Sequence, residues 1–321
     1  MSTLAAICAS PMIKEFASGA AQDNVAPVAD FLAPTVSVAT PVFRYKTYSQ
    51  KNRFHIPDTR RAIGGKAVEI GFTATDSTGN CQPHAIDSPV DIMEMAATEG
   101  LEDMVKEAAT MTAEVGGLAH EYNVVNTAIA ALTALGGAQV VTPAWTAAVD
   151  PIILLDSYIL TVLKAAKYGS LMGIRVLMGA TVLANLKNHA LIRNRFIVGG
   201  TNIRGPSVAP LAALNPDAIG SLLIGNPETR VSFMVYDNSK EGVAESIQFI
   251  LDNSLIVFAC KQSPTRRDPS FMKTFRLANR WMVPGAYNRE DGRAEVVKFD
   301  WSEDIEVTNS AAAILVTPTW S

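Results

Sequence analysis

Arg53-Phe-His-Ile-Pro-Asp-Thr-Arg-Arg-Ala-Ile-Gly-Gly-Lys66, continued by Ala67-Val-Glu-Ile-Gly-Phe-Thr73, is the stretch from which the rest of the chain is read. Val68, Ile70 and Phe72 point to one face and Glu69, Gly71 and Thr73 to the other. This period of two predicts a strand half covered by something else, in a long hairpin. Two strands bury too little apolar surface to stand alone in water, so the arm needs a packing partner within the chain or on another subunit. Assembly is the first expectation.

Outward from that arm, residues 1–41 carry Pro11, Pro27, Pro34 and Pro41 and read as an extended arm, with only a short apolar patch at Val28 to Leu32. Pro41 to Pro89 reads as β-structure, interrupted at Gly64-Gly65 and by a turn at Asp76-Ser-Thr-Gly-Asn80. Beyond Pro89 the period changes. Leu101, Met104, Val105, Ala108, Met111, Val115, Leu118, Tyr122, Val125, Ile129 and Leu132 recur every three or four residues, with Glu102, Asp103, Lys106, Glu107 and Glu114 between them. A helix over 101–132 would be about 48 Å long. Gly116-Gly117 within it predicts a bend or a close neighbouring backbone, and Gly136-Gly137 ends it.

From Asp150 the pattern is mixed. It predicts a helix over 151–167 begun by Asp150 and Pro151, a strand at 174–178 and a helix at 180–188. A short helical piece follows at 211–214, then buried strands at 222–224 and 254–259. Residues 294–299, 305–308 and 311–316 read as strands of a closing sheet.

Composition narrows the function. The 321 residues are 48% hydrophobic and 18% charged, enough for one or two domains with real cores. No run approaches a membrane span, and Met1 to Ala9 lacks the basic start of a secretory signal, so an intracellular origin is expected. Cys8, Cys81 and Cys260 have no metal-ligand spacing and read as free thiols. His55, His84, His120 and His189 are scattered, with no second ligand at helical or turn spacing, so no metal site, catalytic site or cofactor is expected. A net charge of −4 argues against a protein whose main work is gripping nucleic-acid phosphates. Gly199-Gly-Thr-Asn-Ile-Arg-Gly205 lacks the Gly-Lys-Ser/Thr ending of a phosphate loop, and Arg266-Arg267 reads as a solvated pair. The methionines Met93, Met95, Met104 and Met111 suit core or subunit-contact surface, and Trp145, Trp281, Trp301 and Trp320 suit packing anchors.

Five stretches in order resemble the major capsid protein of tailed double-stranded DNA bacteriophages, whose shell fold is shared with encapsulins. They are Phe54 to Lys66, Ile174 to Leu186, Val208 to Leu214 with Ser221 to Gly225, Pro269 to Phe275, and Asp304 to Val316. The resemblance implies an α+β fold: an N-terminal arm (1–41), an extended β-hairpin loop (42–90), a peripheral domain with a long spine helix (91–134 and 269–321) and an α/β axial domain (135–268). It implies a structural protein that self-assembles, as pentamers and hexamers, into an icosahedral head enclosing double-stranded DNA without sequence-specific binding. Scaffolding, portal and decoration proteins are the further partners it implies, with the virion as location and the bacterial cytoplasm as the place of assembly. The first 27 residues are too short for the long scaffolding segment some members carry, so a separate scaffolding protein or none is expected.

Inter-subunit contact then falls to the extended loop: Arg60, Arg61 and Lys66 near its tip and Val68, Ile70 and Phe72 on its apolar side, with Glu102, Asp103 or Glu107 of a neighbour as counter-charges. Some relatives join a lysine of this loop to an asparagine of a neighbour. Lys66 and Asn309 are the candidates here, although an exposed lysine at a turn is ordinarily just solvated. The alternatives are an encapsulin-like compartment shell and, in a different class, an α/β enzyme with an unrecognised pocket.

Overall fold

The computed structural model describes residues 27–48, 56–61, 63–69, 74–91, 93, 101–166, 173–198, 215–240 and 242–320. It begins with a short helix, α1 (Pro27–Leu32), and a strand, β1 (Thr35–Val38). Over residues 27–33 the extended-arm reading is corrected, because Val28, Ala29, Phe31, Leu32 and Ala33 are buried in the main core, while residues 1–26 lie outside the described residues. The apolar patch at 28–32 folds because it has something to pack on. Phe31 meets Phe258 edge-on at 5.5 Å, and β1 pairs in parallel with a later strand, Thr35 opposite Thr274.

Strands β2 (Val42–Tyr48) and β3 (Ala74–Asn80) form an antiparallel ladder from Val42 opposite Asn80 to Tyr48 opposite Ala74. Two expectations change. Asp76 to Asn80, which has turn composition, is strand, because cross-strand pairing outweighs local preference. Gly79 is required there: a Cβ would come within 2.3 Å of the Phe43 ring. The strand expected over the alternating run is absent from its described part, residues 67–69, which carry no ladder. The stem of the hairpin lies further from its tip than the alternation suggested. The ladder extends to Cys81, whose N–H donates to Pro41 O at 2.9 Å, and the chain runs on along β14 as β4 (Gln82–Asp91).

The long helix, α2 (Leu101–Leu135), is unbroken for 35 residues, about 52 Å. It crosses Gly116-Gly117 without interruption. The close neighbour there is a side chain, since a Cβ on Gly116 would meet Met282 Cε at 2.4 Å. Gly136 and Gly137, both at φ 57°, end the helix as expected.

One sheet is built around β14 (Ala294–Val307), a single strand where two were expected. It pairs with β4 from Ala294 opposite Asp91 to Glu303 opposite Gln82, with β13 (Val283–Asn288), and with β12 (Met272–Leu277), which carries β1 on its far side. Pro83 and Pro89 are tolerated in β4 because it bonds to β14 alone.

The other large sheet has the order β5 (Val140–Val141), β15 (Ala313–Val316), β11 (Leu255–Cys260), β7 (Gly173–Gly179), β8 (Glu228–Ser232). Residues 313–316 therefore pair with the central sheet and not with 294–307. All six residues of β11 are buried, as its continuous apolar run requires. Helix α3 (Pro151–Ala166) lays Ile152, Leu155, Ile159 and Val162 into this core, and Asp150 caps it by accepting from Ile152 N–H at 3.0 Å. Helices α4 (Ala180–Asn188) and α5 (Ala190–Val198) follow β7. Helix α6 (Pro216–Leu222) occupies part of the strand expected at 222–224. Asn215 caps that helix through Ala218 N–H with Pro216 in its first turn, and Ile224 beyond it is 46% exposed. Residues 211–214 and 199–205 lie outside the described residues. Two short ribbons complete the fold: β6 (Ala144–Trp145) with β16 (Thr319–Trp320), and β9 (Val235–Asp237) with β10 (Ile247–Phe249). Trp145 and Trp320 pack edge-on at 5.1 Å, anchoring the first of these.

Gly179 joins β7 to α4 where the Asp252 carbonyl oxygen would stand 1.8 Å from an added Cβ. Gly179→Ala should cost about 3 kcal/mol, the upper end of overpacking effects, because a backbone atom cannot swing aside. Denaturant unfolding of the variant against the wild type measures it.

Candidate assembly interface

The hairpin is seated on the β14 sheet at its stem. Phe43, Tyr45, Val36, Val38, Cys81 and Phe275 form a separate buried cluster, with Phe43 and Phe275 ring centroids 4.4 Å apart. Tyr45 donates its hydroxyl to Glu306 at 3.3 Å, and Asn80 N–H donates to Asp304 at 2.7 Å. Burial pushes both carboxyls above their ordinary range.

Beyond the stem the described loop residues are uncovered. Ile56 is 91% exposed, Ile63 is fully exposed and Val68 is 55% exposed. Arg60, Arg61 and Lys66 are exposed as well, and Asp58 accepts from Arg60 N–H at 3.0 Å. Ile70 and Phe72 lie outside the described residues. Three β-branched side chains held in water on one loop are the informative feature. Covering each would contribute about 1.5–3 kcal/mol, whereas an exposed ion pair gives about 0–1 kcal/mol. The apolar side would set affinity and the cations would set register. Ile56 and Ile63 were not singled out from the sequence because neither belongs to an alternating run.

A second exposed strip lies on α2. Glu107, Met111, Glu114 and Val115 recur at helical spacing and all face solvent. They lead into an open groove of about 380 Å³ lined by Val115, Leu118, Tyr122, Asn123, Tyr236 and Asp237. Glu102 and Asp103 belong to α2, but their side chains lie outside the description. Asn309 is half-buried, and its amide donates to Pro269 O at 3.1 Å.

Between the stem and α2 lies a buried network that the sequence did not announce. His120 Nδ1 is 3.0 Å from Glu303 Oε1, Arg276 Nη2 is 3.0 Å from His120 Nε2, and Arg276 Nε is 3.4 Å from Glu303 Oε2. Arg276 has only donors, so His120 Nε2 accepts and the ring proton sits on Nδ1, facing the carboxylate. Trp301 Nε1 donates to the same carboxylate at 3.3 Å, and the Arg276 guanidinium lies 3.5 Å from the centre of the Trp281 ring. Burial alone would raise the Glu303 carboxyl; the His120 hydrogen bond and the Arg276 charge outweigh it and hold it below the ordinary glutamate range. A second buried ion pair, Lys273 with Asp268 at 3.3 Å, pins the 265–268 turn, where Lys273 Nζ also donates to Thr265 O at 2.7 Å. Cys81 and Cys260 are buried free thiols, and Arg266 and Arg267 are exposed. Among the described residues no cluster of His, Cys, Asp or Glu could hold a metal ion, and no helix is long and apolar enough to cross a membrane.

No protein-family model matches the chain. Over 63 residues it is 35% identical to the major capsid protein of Pseudomonas phage JBD67, a stretch that is 20% of each chain. It therefore matches about a fifth of that relative's length. Among solved structures, a phage-related protein of Bordetella bronchiseptica RB50 superposes with a TM-score of 0.65 at 15% identity, covering 96% of both chains. The capsid of the cyanophage P-SCSP1u gives 0.55 at 10% identity, covering 90% of this chain and 87% of that one. The SrpI encapsulin of Synechococcus elongatus PCC 7942 gives 0.54 at 10% identity, covering 91% and 88%. The fold is thus the shell fold common to tailed-phage capsids and encapsulins.

Glu303→Gln should cost about 3–5 kcal/mol at neutral pH, because it strips the counter-charge from the buried Arg276. The Glu303 carboxyl has a depressed folded pKa, so its contribution is complete above the ordinary glutamate value of about 4.3 and is lost as pH falls through the folded one. The stability gap between wild type and variant should therefore close in acid. Urea unfolding at pH 7 and at pH 3 checks both points.

Proposed function

We propose that this chain is the major capsid protein of a tailed phage, a structural subunit that assembles with copies of itself into an icosahedral head around double-stranded DNA. The observation that carries the reading is the exposure of the described loop residues between 56 and 69: a seated stem presents Ile56, Ile63 and Val68 to water with no described residue covering them. A closed shell made from one chain needs such heterologous contacts, in which different patches of each copy meet and the rotation closes. The capsid-type fold supports the same reading, and the 63-residue likeness to a phage capsid protein favours it over an encapsulin-like compartment.

In this proposal residues 42–90 are the extended loop, 91–134 with 269–321 the peripheral domain and 135–268 the axial domain. The loop of one copy lies on the exposed α2 strip of the next, with Arg60, Arg61 and Lys66 meeting acidic groups such as Glu107. Pentamers and hexamers, a virion location, cytoplasmic assembly, and scaffolding, portal and decoration partners belong to the same proposal. So does an isopeptide bond between Lys66 and Asn309 of a neighbour. The Asn309 amide would have to leave its bond to Pro269 to react.

Electron microscopy of the purified protein, alone and with its scaffold, should show closed shells, and particles from lysate should contain DNA; protein cargo in its place would favour the encapsulin. Removing residues 56–69 should abolish shells while leaving a folded monomer, because the stem cluster keeps its own contacts. Monodisperse wild-type monomer under every condition would defeat the proposal. For the cross-link, denaturing electrophoresis of assembled particles should give a band near 34.3 kDa and no ladder if Lys66 is merely solvated.

A further inference from the structure

Glu121 is the one carboxylate in the described core of α2 that has no positive partner. It is 0% exposed. Its Oε1 accepts a hydrogen bond from Ser232 Oγ at 3.3 Å, and its Oε2 has no partner among the described residues. Charged groups on the surrounding elements are committed elsewhere. On α2 itself, His120 faces Glu303 and Glu114 is exposed. On α1, Asp30 is exposed and accepts from Thr35. On β8, Arg230 bonds to Glu228 at 2.9 Å and covers the Phe31 ring, and Arg175 of β7 bonds to the same Glu228 at 3.3 Å. On β9, the Asp237 carboxylate is held by Ser239 and Ser246. On β14, Glu303 is taken by His120 and Arg276, while β5 and β15 carry no charge.

Ser232 is itself fully buried and ends β8 just before the chain enters the β9–β10 ribbon. One residue along the helix, Tyr122 packs on Tyr236 of that ribbon at 4.9 Å, and both line the open groove. The Glu121–Ser232 contact and the tyrosine pair are therefore two adjacent ties between α2 and the same segment.

We propose that Glu121 and Ser232 form a proton-controlled latch between α2 and the segment from β8 to β10, closed while the carboxyl is neutral and loosened when it ionises. A neutral carboxyl leaves one weak polar atom unpaired in the core, whereas a carboxylate leaves a full charge there. Burial pushes the Glu121 carboxyl up to about 7, against which the Ser232 hydroxyl is the sole opposing influence. The sign follows: the folded pKa lies above the unfolded one, so the latch contributes fully below the ordinary glutamate range and its contribution is lost as pH rises through about 7. The consequence is a groove whose ribbon wall is firm in mild acid and loose in mild alkali. This holds for the single chain and does not rest on the shell reading.

Hydrogen exchange of residues 228–250, corrected for the intrinsic pH dependence of exchange, tests it on the full chain. Protection should fall roughly tenfold or more between pH 6 and pH 8.5 in the wild type, and Glu121→Gln should stay protected throughout. A flat wild-type profile, or an equal fall in the variant, would overturn the latch. Should the variant fail to fold, the carboxyl 13C signal of Glu121 in the wild type decides: a titration midpoint near 7 supports the proposal, and a midpoint near the ordinary glutamate value ends it.

Discussion

The structure depends on one long helix burying two different faces of apolar surface at once. The first half of α2 puts Ala108, Ala109 and Ala113 against the β14 sheet, in a cluster with Val297, Phe299 and Trp301. The second half puts Val124, Val125, Ala128 and Leu132 into the core of the central sheet. Small residues bring the helix close to the first sheet, and larger branched ones fill the space beside the second. The helix is thus a beam between two sheets that share few strand contacts of their own. The His120–Glu303–Arg276 network sits in the middle of that beam and fixes its position along β14 through hydrogen bonds that tolerate no slippage.

The same economy explains why the hairpin can project. Its stem is anchored on β1 and β12 through Phe43, Tyr45, Val36, Val38 and Phe275, a cluster separate from the two larger cores. Affinity for a neighbour would be drawn from the apolar side chains that this arrangement leaves in water. Many copies engaging at once turn individually weak contacts into a stable whole.

Much of this could be read from the residues alone, for identifiable reasons. The period of α2, its stop at Gly136-Gly137, the Asp150-Pro151 start of α3 and the buried run of β11 are local signals strong enough to survive folding. Where reading failed, a distant partner overrode local preference. Asp76 to Asn80 has turn composition but is held straight by β2 and by the Phe43 ring over Gly79. Val28 to Leu32 is too short to announce a helix, yet Phe258 gives Phe31 a surface. Leu222 to Ile224 is apolar like a strand, but Asn215-Pro216 had already set a helix in motion. Arg60, Arg61, Lys66 and Val68 stood out in the sequence and are exposed, whereas Ile56 and Ile63 drew attention only once their exposure was known. The buried ionic network joins three distant segments, and no spacing rule could have found it.

Strand β15 has a consequence for how the protein is made. It lies between β5 and β11, so residues 313–316 fill an inner place in a sheet whose other members are separated from it by more than fifty residues. During synthesis that slot stays vacant until residues 313–316 emerge, after every other strand of the sheet, and the facing edges of β5 and β11 wait unpaired until then. Completion of the central core is thus tied to the strand of that sheet that is made last, long after its pairing partners.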